Sequence, residues 1–349
     1  GTKLKALRNI MRNFYSPLKD ADPYLRFVFL TGITKFSQLS IFSELNNIKN
    51  VSMLDDFAAI CGITKEEMLE NMGEGIDRLA AELELSREET IKQLADKYDG
   101  YHFSKKSPDI FNPYSLLNCF SDRMLEDYWF GSGTPTFLIE MLRKFGMTPT
   151  MLACPMRAAA TEFDVPTETL TSITPLLYQS GYITIKGYDN ISKLYTLGIP
   201  NGEVRVGLMQ SLVPNYLHTL SAPTIVAEMY GYMARGNINA AFEVLQKFFR
   251  TVPYCNDIDH EGHWQQMLYV VFSIFGAKGD VEIHTADGRL DLVMLLYGTR
   301  YLVEIKLDGT AAEALQQIND RRYADRFALE EVPLVKIGVN FSTTERTVT

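Results

Sequence analysis

Two neighbouring stretches near the C-terminal end of the sequence decide the fold: Gly288-Arg289-Leu290-Asp291-Leu292-Val293 and Tyr301-Leu302-Val303-Glu304-Ile305-Lys306-Leu307. Both are rich in apolar and β-branched residues, which is typical of strands. Because side chains alternate across a strand, Glu304 and Lys306 face one side and Ile305 faces the other. If the strands form a hairpin, Asp291 lies beside Glu304. The pattern therefore predicts two carboxylates and a lysine on one face of a sheet.

The elements around this hairpin follow from the spacing of apolar residues. A helix precedes the strands, and a helix and a further strand follow them, which gives the order αβββαβ. The predicted bounds are 261–276 for the first helix, 281–284, 290–296 and 301–307 for the strands, 311–327 for the second helix and 335–340 for the last strand.

The predicted face has the residue types that phosphodiester hydrolysis needs. Two carboxylates suit a magnesium or manganese ion, which supplies an activated water and positive charge near the phosphate. Lys306 is the candidate that orients or deprotonates this water, and Gln317 on the following helix would hydrogen-bond the water or a ligand carboxylate. Glu261 is a candidate for a further metal ligand, with His263 competing for that role. A solvated ladder of ion pairs is the alternative for Asp291, Glu304 and Lys306.

The first two thirds of the sequence are mostly helical in pattern. A helix is predicted over 4–15, a buried strand over Leu25–Gly32, and hydroxyl N-caps at Thr64 and Ser86, each followed by two acidic residues. Further on, helices followed by two strands near 182–185 and 195–197 favour a winged helix. Two connector helices then lead to the αβββαβ region. The predicted domains are 1–134, 135–220 and 221–349.

Composition limits the function classes. The chain has 349 residues, 46% hydrophobic content and a formal net charge of −9, which argues against a protein that coats nucleic acid through a global positive field. Its apolar runs are shorter than the roughly 18 residues of a membrane span. The four cysteines lack metal or disulfide spacing and are interpreted as buried thiols in a reducing cytoplasm.

Two sets of residues in the middle of the chain leave alternatives open. The segment Tyr98-Asp99-Gly100-Tyr101-His102-Phe103 combines a glycine turn with aromatic residues, which favours packing, although Asp99 could cap a helix or ligate. Lys186, Lys193 and Arg205 are the basic residues of the winged-helix region, and they form only a sparse set for DNA contact.

The C-terminal motifs closely resemble the PD-(D/E)XK nuclease domain of AAA-ATPase-like proteins, a bacterial, Bacteroides-type family. The resemblance rests on Gly-Arg-Leu-Asp-Leu-Val, on Val-Glu-Ile-Lys-Leu-Asp-Gly and on Glu-Ala-Leu-Gln-Gln-Ile. It implies Asp291, Glu304, Lys306 and Gln317 as catalytic residues, and Asp291, Glu304 and Glu261 as metal ligands. It also implies DNA as the substrate and favours a homodimer, because cutting two strands often needs two centres.

The N-terminal part is similar to the end of the family's ATPase module, through Phe29–Ser37 and Ile41–Asn47, and Tyr98–Phe103 resembles its Tyr-Asp-Gly-Tyr motif. The sequence departs from the family because it contains no GxxxxGK[ST] phosphate-binding loop. We therefore expect no ATPase activity from this chain, which resembles the part of the family that follows the nucleotide-binding strands.

The expected fold class is α/β (α+β overall), with a mostly helical N-terminal part, an ATPase-remnant strand, a winged-helix-like region and an αβββαβ nuclease fold. The alternative function is a DNA- or protein-binding regulatory module in which the nuclease fold is a scaffold. The sequence leaves open whether the substrate is single-stranded, duplex or branched DNA, or RNA.

Overall fold

The structure is a computed structural model that describes residues 2–32, 49–132, 136–165, 171–216, 222–251, 260–275, 280–286, 289–296, 298–329, 332–342, 344–345 and 347–348. The helices are α1 Thr2–Tyr15, α2 Pro17–Asp20, α3 Lys65–Asn71, α4 Gly73–Glu82, α5 Arg87–Tyr98, α6 Pro113–Asp122, α7 Thr136–Lys144, α8 Pro149–Ala153, α9 Ala160–Phe163, α10 Thr174–Gln179, α11 Gly202–Tyr216, α12 Ala222–Ala234, α13 Ile238–Thr251, α14 His260–Phe275 and α15 Ala311–Asp320. The strands are β1 Ile63–Thr64, β2 Ile110–Phe111, β3 Met156–Ala158, β4 Thr184–Tyr188, β5 Tyr195–Gly198, β6 Asp280–Ala286, β7 Arg289–Leu296, β8 Thr299–Leu307, β9 Leu334–Ser342 and β10 Thr347–Val348. These elements confirm the predicted mixed class.

The chain divides into two compact units. The first comprises Gly1–Trp129 and Cys154–Asn201, and the second comprises Phe130–Ala153 and Gly202–Thr349. The predicted middle domain, 135–220, contributes to both units, and the division into three domains stays a prediction.

Helices α3 to α6 belong to the first unit, and α3 and α5 begin at the N-caps that the sequence predicts. The Thr64 hydroxyl accepts a hydrogen bond from the Glu67 N–H, and the Glu67 carboxylate accepts one from the Thr64 N–H, which forms a capping box. Ser86 caps α5 through the Glu89 N–H. The apolar faces of these helices enclose a buried cluster of Met68, Ile76, Leu79, Leu94, Tyr98, Phe111, Leu116 and Cys119.

The predicted buried strand over Leu25–Gly32 is wrong. The segment is not assigned to a strand, and Phe27 and Phe29 are exposed, with their rings stacked 6.3 Å apart. A strand needs a neighbour for its backbone N–H and C=O groups, and no strand of the described residues pairs with this segment. Its apolar composition alone therefore does not make it a strand.

The winged-helix-like region contains one strand more than the sequence predicted. The short strand β3 pairs with β5, so that an antiparallel sheet of order β3-β5-β4 replaces the expected two-stranded ribbon. Three residues are too few to show an alternating pattern, which is why β3 was missed. The assignment to the winged-helix class stays a prediction.

A bulge in β4 turns Lys186 away from the sheet ladder. The register shifts between Ile185 and Gly187, and the Lys186 ammonium donates hydrogen bonds to the backbone oxygens of Gly100 (2.9 Å) and Pro200 (2.8 Å). Lys186 therefore ties the Tyr98–Phe103 segment to the chain just before α11. These bonds favour a structural role for Lys186 over contact with DNA.

The Tyr98–Phe103 segment packs as the sequence favoured. Tyr98 is fully buried and its hydroxyl donates to the Glu126 carbonyl, at 2.7 Å. Asp99 is buried as well, and its carboxylate accepts the Gly100 N–H at 2.7 Å. Desolvation raises the pKa of Asp99 to about 6, an effect that the charge of Asp109 increases and those of His102 and Lys186 reduce.

The second unit is built on the sheet of order β10-β9-β8-β7-β6. Strands β8 and β9 are parallel, and the other pairs are antiparallel. Helix α15 packs against β8 and β9, whereas α14 packs against β6 and β7. All positions of 267–275 in α14 are buried, so this part of the helix is covered on every side and forms a central core element. The predicted αβββαβ order is confirmed, and β10 is added to it.

The cysteines differ partly from expectation. Cys119 is buried, but Cys61 and Cys154 are exposed, and all three are free thiols. Cys255 lies outside the described residues. No helix in the described part of the chain combines the length and the apolar character required to cross a lipid bilayer.

Gly100 is required by both its backbone conformation and its surroundings. Its φ is +94°, and a Cβ at this position would lie 2.6 Å from the Pro200 oxygen. We expect Gly100→Ala to destabilise the first unit by at least about 2 kcal/mol, measured by urea unfolding. Gly146→Ala is the control, because Gly146 has φ +63° with open space around it. A smaller loss for Gly100→Ala than for Gly146→Ala would contradict the packing argument.

The raised pKa of Asp99 predicts a pH-dependent stability. Because the folded chain holds this proton up to about pH 6 and the unfolded chain only to about its ordinary value of 3.8, stability falls as the pH rises through this window. We expect Asp99→Asn to raise the melting temperature by about 2–4 °C at pH 8, with the gain vanishing towards pH 4. The exposed Asp56→Asn is the control. An equal gain at both pH values would count against a titrating Asp99.

Candidate active site

The β6-β7-β8-β9 part of the sheet aligns the predicted carboxylates. Asp291 on β7 is the direct register partner of Glu304 on β8, as the hairpin prediction required. Opposite residues of antiparallel strands have Cβ atoms about 4.5–5.5 Å apart and point to the same face. The row continues to His284 on β6 and to Gly338 on β9.

Glu304 is a charged residue with no exposed surface. Its Oε1 accepts a hydrogen bond from Nε2 of Gln317, and Oε1 of Gln317 accepts one from the Lys306 ammonium. Lysine only donates and an ionised carboxylate only accepts, so the orientation of the Gln317 amide is fixed by its two partners. The amide therefore links the two charged residues on the face that the alternation predicted. Ile305 between them is buried.

Helix α15 carries Gln317 and lies very close to the sheet. A Cβ on Gly338 would overlap the Ala311 carbonyl oxygen and contact the backbone of Leu315, so only glycine allows this approach. Beyond the site, Ile318 packs with Val293 and Leu302 in a small apolar cluster. This packing holds the helix over the row that contains Glu304.

The predicted helix over 311–327 is too long. Helix α15 ends at Asp320, and a 3-10 turn over Tyr323–Phe327 follows. Arg322 between them has a left-handed backbone with φ 52°, which interrupts the helical hydrogen bonds. The apolar periodicity continues across this break because Tyr323 and Phe327 pack against the same cluster. Spacing alone could not separate the two elements.

The donor set fits a hard divalent cation. In the predicted set Glu304 and Asp291 would provide oxygen ligands from adjacent strands, and burying the Glu304 carboxylate is costly unless positive charge compensates it. The side chain of Asp291 lies outside the described set, and among the side chains within it no three His, Cys, Asp or Glu residues converge. Glu261 and His263 lie in the first turn of α14, and their side chains are also outside the described set, so their roles stay predictions.

Sequence reasoning missed two positions of this face. His284 pairs in register with Asp291, and Asn340 pairs with Lys306. The strand over Val281–His284 was predicted, and matching its alternation to β7 could have placed His284 in the row. Asn340 could not be found in this way, because its neighbour Lys306 is far away in sequence.

Comparison with known proteins finds a family match at each end of the chain. Residues 259–349 match the PD-(D/E)XK nuclease superfamily, and residues 2–42 match the family described as "Predicted AAA-ATPase". A relative from Azotobacter chroococcum mcd 1, described as "Uncharacterized protein in vnfD 5'region", is 32% identical over 361 aligned residues. The alignment covers 99% of this chain and 66% of the relative. No solved structure matches the chain.

The buried charge of Glu304 predicts an unusual response to substitution. Glu304→Gln keeps the shape and the acceptor for Gln317 but removes a buried negative charge. We expect its melting temperature in EDTA to equal or exceed that of the native chain by up to about 4 °C. Glu345→Gln, the same change at an exposed site of this unit, should have no effect. A clear loss of stability in Glu304→Gln would show that the charge is already compensated without metal.

Proposed function

We propose, from the membership of residues 259–349 in the PD-(D/E)XK nuclease superfamily, that this chain is a divalent-metal-dependent nuclease that hydrolyses phosphodiester bonds in DNA. The observation that carries the proposal is the fully buried Glu304 carboxylate, which lies in register with Asp291 and is linked by Gln317 to Lys306. Burying a charged group costs free energy, and a purely structural role for the sheet would not require it.

In this proposal Asp291 and Glu304 hold a magnesium or manganese ion, and Glu261 is a further candidate ligand. The ion supplies Lewis-acid stabilisation of the phosphate and lowers the pKa of a bound water. Lys306 orients the attacking water and places its positive charge near the developing negative charge on the phosphate oxygens. Gln317 keeps the Glu304 carboxylate and the Lys306 ammonium in a fixed relation, so that little reorganisation is needed during the reaction.

DNA and a second copy of the chain are the proposed partners. A duplex has two strands to cut, and a homodimer would present one centre to each; sedimentation velocity with and without duplex DNA tests this assembly. The net charge of −9 provides no general attraction for DNA, so binding would rely on the metal and on local cations such as Lys306.

Coupling to an ATPase is a further part of the proposal. Residues 2–42 match "Predicted AAA-ATPase", and the chain spans 66% of the length of its Azotobacter relative. We infer that in such longer proteins nucleotide hydrolysis accompanies the nuclease. Comparing cleavage by a full-length relative with and without ATP would test this, and identical rates would contradict it.

Cleavage of labelled single-stranded, duplex and branched DNA tests the nuclease directly. We expect cutting in magnesium or manganese, with Lys306→Ala slower by about 10²–10⁴-fold because the group that orients the water is lost. Lys336→Ala is the matched control: its ammonium bonds Asn319 at 2.7 Å, outside the row of Glu304. In parallel, manganese should raise the melting temperature of the native chain but not of Asp291→Asn. DNA binding without cutting, and without this metal effect, would favour a scaffold.

A further inference from the structure

Asn340 is a buried polar residue that the proposed chemistry does not use. It lies on β9 beside Lys306 in the parallel β8-β9 pair and is 8% exposed. Its Oδ1 accepts a hydrogen bond of 2.9 Å from the backbone N–H of Gly309. Burying an amide is costly unless it makes hydrogen bonds, so this contact explains how the residue is tolerated among strands.

The contact fixes the turn that connects the site's strand to its helix. Asp308 precedes Gly309 and has a left-handed φ of 50°, and its N–H donates to the Phe341 carbonyl at 2.9 Å. Two successive N–H groups of the turn are therefore held by two successive residues of β9. The path of the chain after Lys306 is set by a neighbouring strand and not by β8 alone.

This turn also determines where α15 begins. Thr310 is its N-cap and forms a capping box with Glu313, through bonds of 2.9 and 3.1 Å. Gln317 lies seven residues after Thr310, which is about two helical turns. A shift or rotation at the start of the helix would therefore move the Gln317 amide relative to both Glu304 and Lys306.

We propose that Asn340 is a positioning residue of the site: by holding the turn at Gly309, it sets α15 so that Gln317 reaches Glu304 and Lys306 together. The inference rests on the proposed function, because its consequence is the geometry of the metal ligand Glu304. Asn340 acts through the turn and the helix.

The structure offers a matched control for this role. Asn319 on α15 accepts a hydrogen bond of 2.7 Å from Lys336 on β9, and thus also ties the helix to the same strand. This second tie is exposed and lies beyond Gln317, towards the C-terminal end of the helix. If any tie between α15 and β9 were sufficient, losing either asparagine would have the same effect on the site.

The test is a double-mutant cycle on manganese binding, measured by titration calorimetry on the full chain. We expect Asn340→Ala and Gln317→Ala each to weaken manganese binding by about tenfold, the lower end for partners that orient a metal ligand. The double variant should bind no more weakly than Gln317→Ala alone, because both changes remove the same support. Asn319→Ala should stay within about twofold of the native chain. If Asn340→Ala does not fold, Asn340→Val suits a strand and still removes the acceptor.

Different outcomes separate this inference from the proposed function. Manganese binding that Glu304→Gln abolishes but Asn340→Ala leaves unchanged would overturn the inference alone. Losses that multiply in the double variant would also overturn it, since Asn340 would then act independently of Gln317. If the native chain binds no manganese, or if Glu304→Gln binds it with the same affinity as the native chain, both the proposed function and the inference are wrong.

Discussion

The Glu304 carboxylate has no exposed surface and lies between the sheet and the helix that covers it. The residues around it must offset the free energy that desolvating a charge costs. Burial removes water from the charge, and the register with Asp291 adds a second acidic residue on the next strand. Gln317 supplies one hydrogen bond and carries the link on to Lys306. We expect such a buried charge to cost stability until a positive charge compensates it.

The cover over this carboxylate depends on backbone contact between α15 and the sheet. Gly338 leaves room for the helix backbone. The packing of Ile318 against Val293 fixes the C-terminal half of the helix. At the N-terminal end of the helix, the capping box of Thr310 satisfies free backbone N–H groups without any bond to the strands. The helix is thus fixed at both ends, and Gln317 is held over the sheet face that carries Glu304 and Lys306. Rigid support of this kind keeps the Glu304 carboxylate in one orientation.

Local pattern was sufficient for part of this structure. The order αβββαβ, the pairing of Asp291 with Glu304 and the contact of Gln317 follow from alternation, short connections and capping signals, all of which act over short distances in sequence. The Leu25–Gly32 strand failed because strands need partners that composition does not supply. The contacts of Lys186 and Asn340 could not be predicted for the related reason that their partners, Gly100 and Gly309, are distant in sequence.

The buried carboxylates of Asp99 in the first unit and of Glu304 in the second have surroundings that differ in kind. Asp99 lies near Lys186, but that ammonium donates to two backbone carbonyls, and desolvation raises the pKa of Asp99 towards neutrality. A proton is then the least costly way to neutralise it. Glu304 instead has an acidic residue, Asp291, as its register partner and a lysine, Lys306, linked to it through the Gln317 amide. A single proton cannot compensate two carboxylates, whereas a divalent cation can. In the function proposed for the second unit a cation would neutralise the buried charge of Glu304, whereas a proton neutralises Asp99.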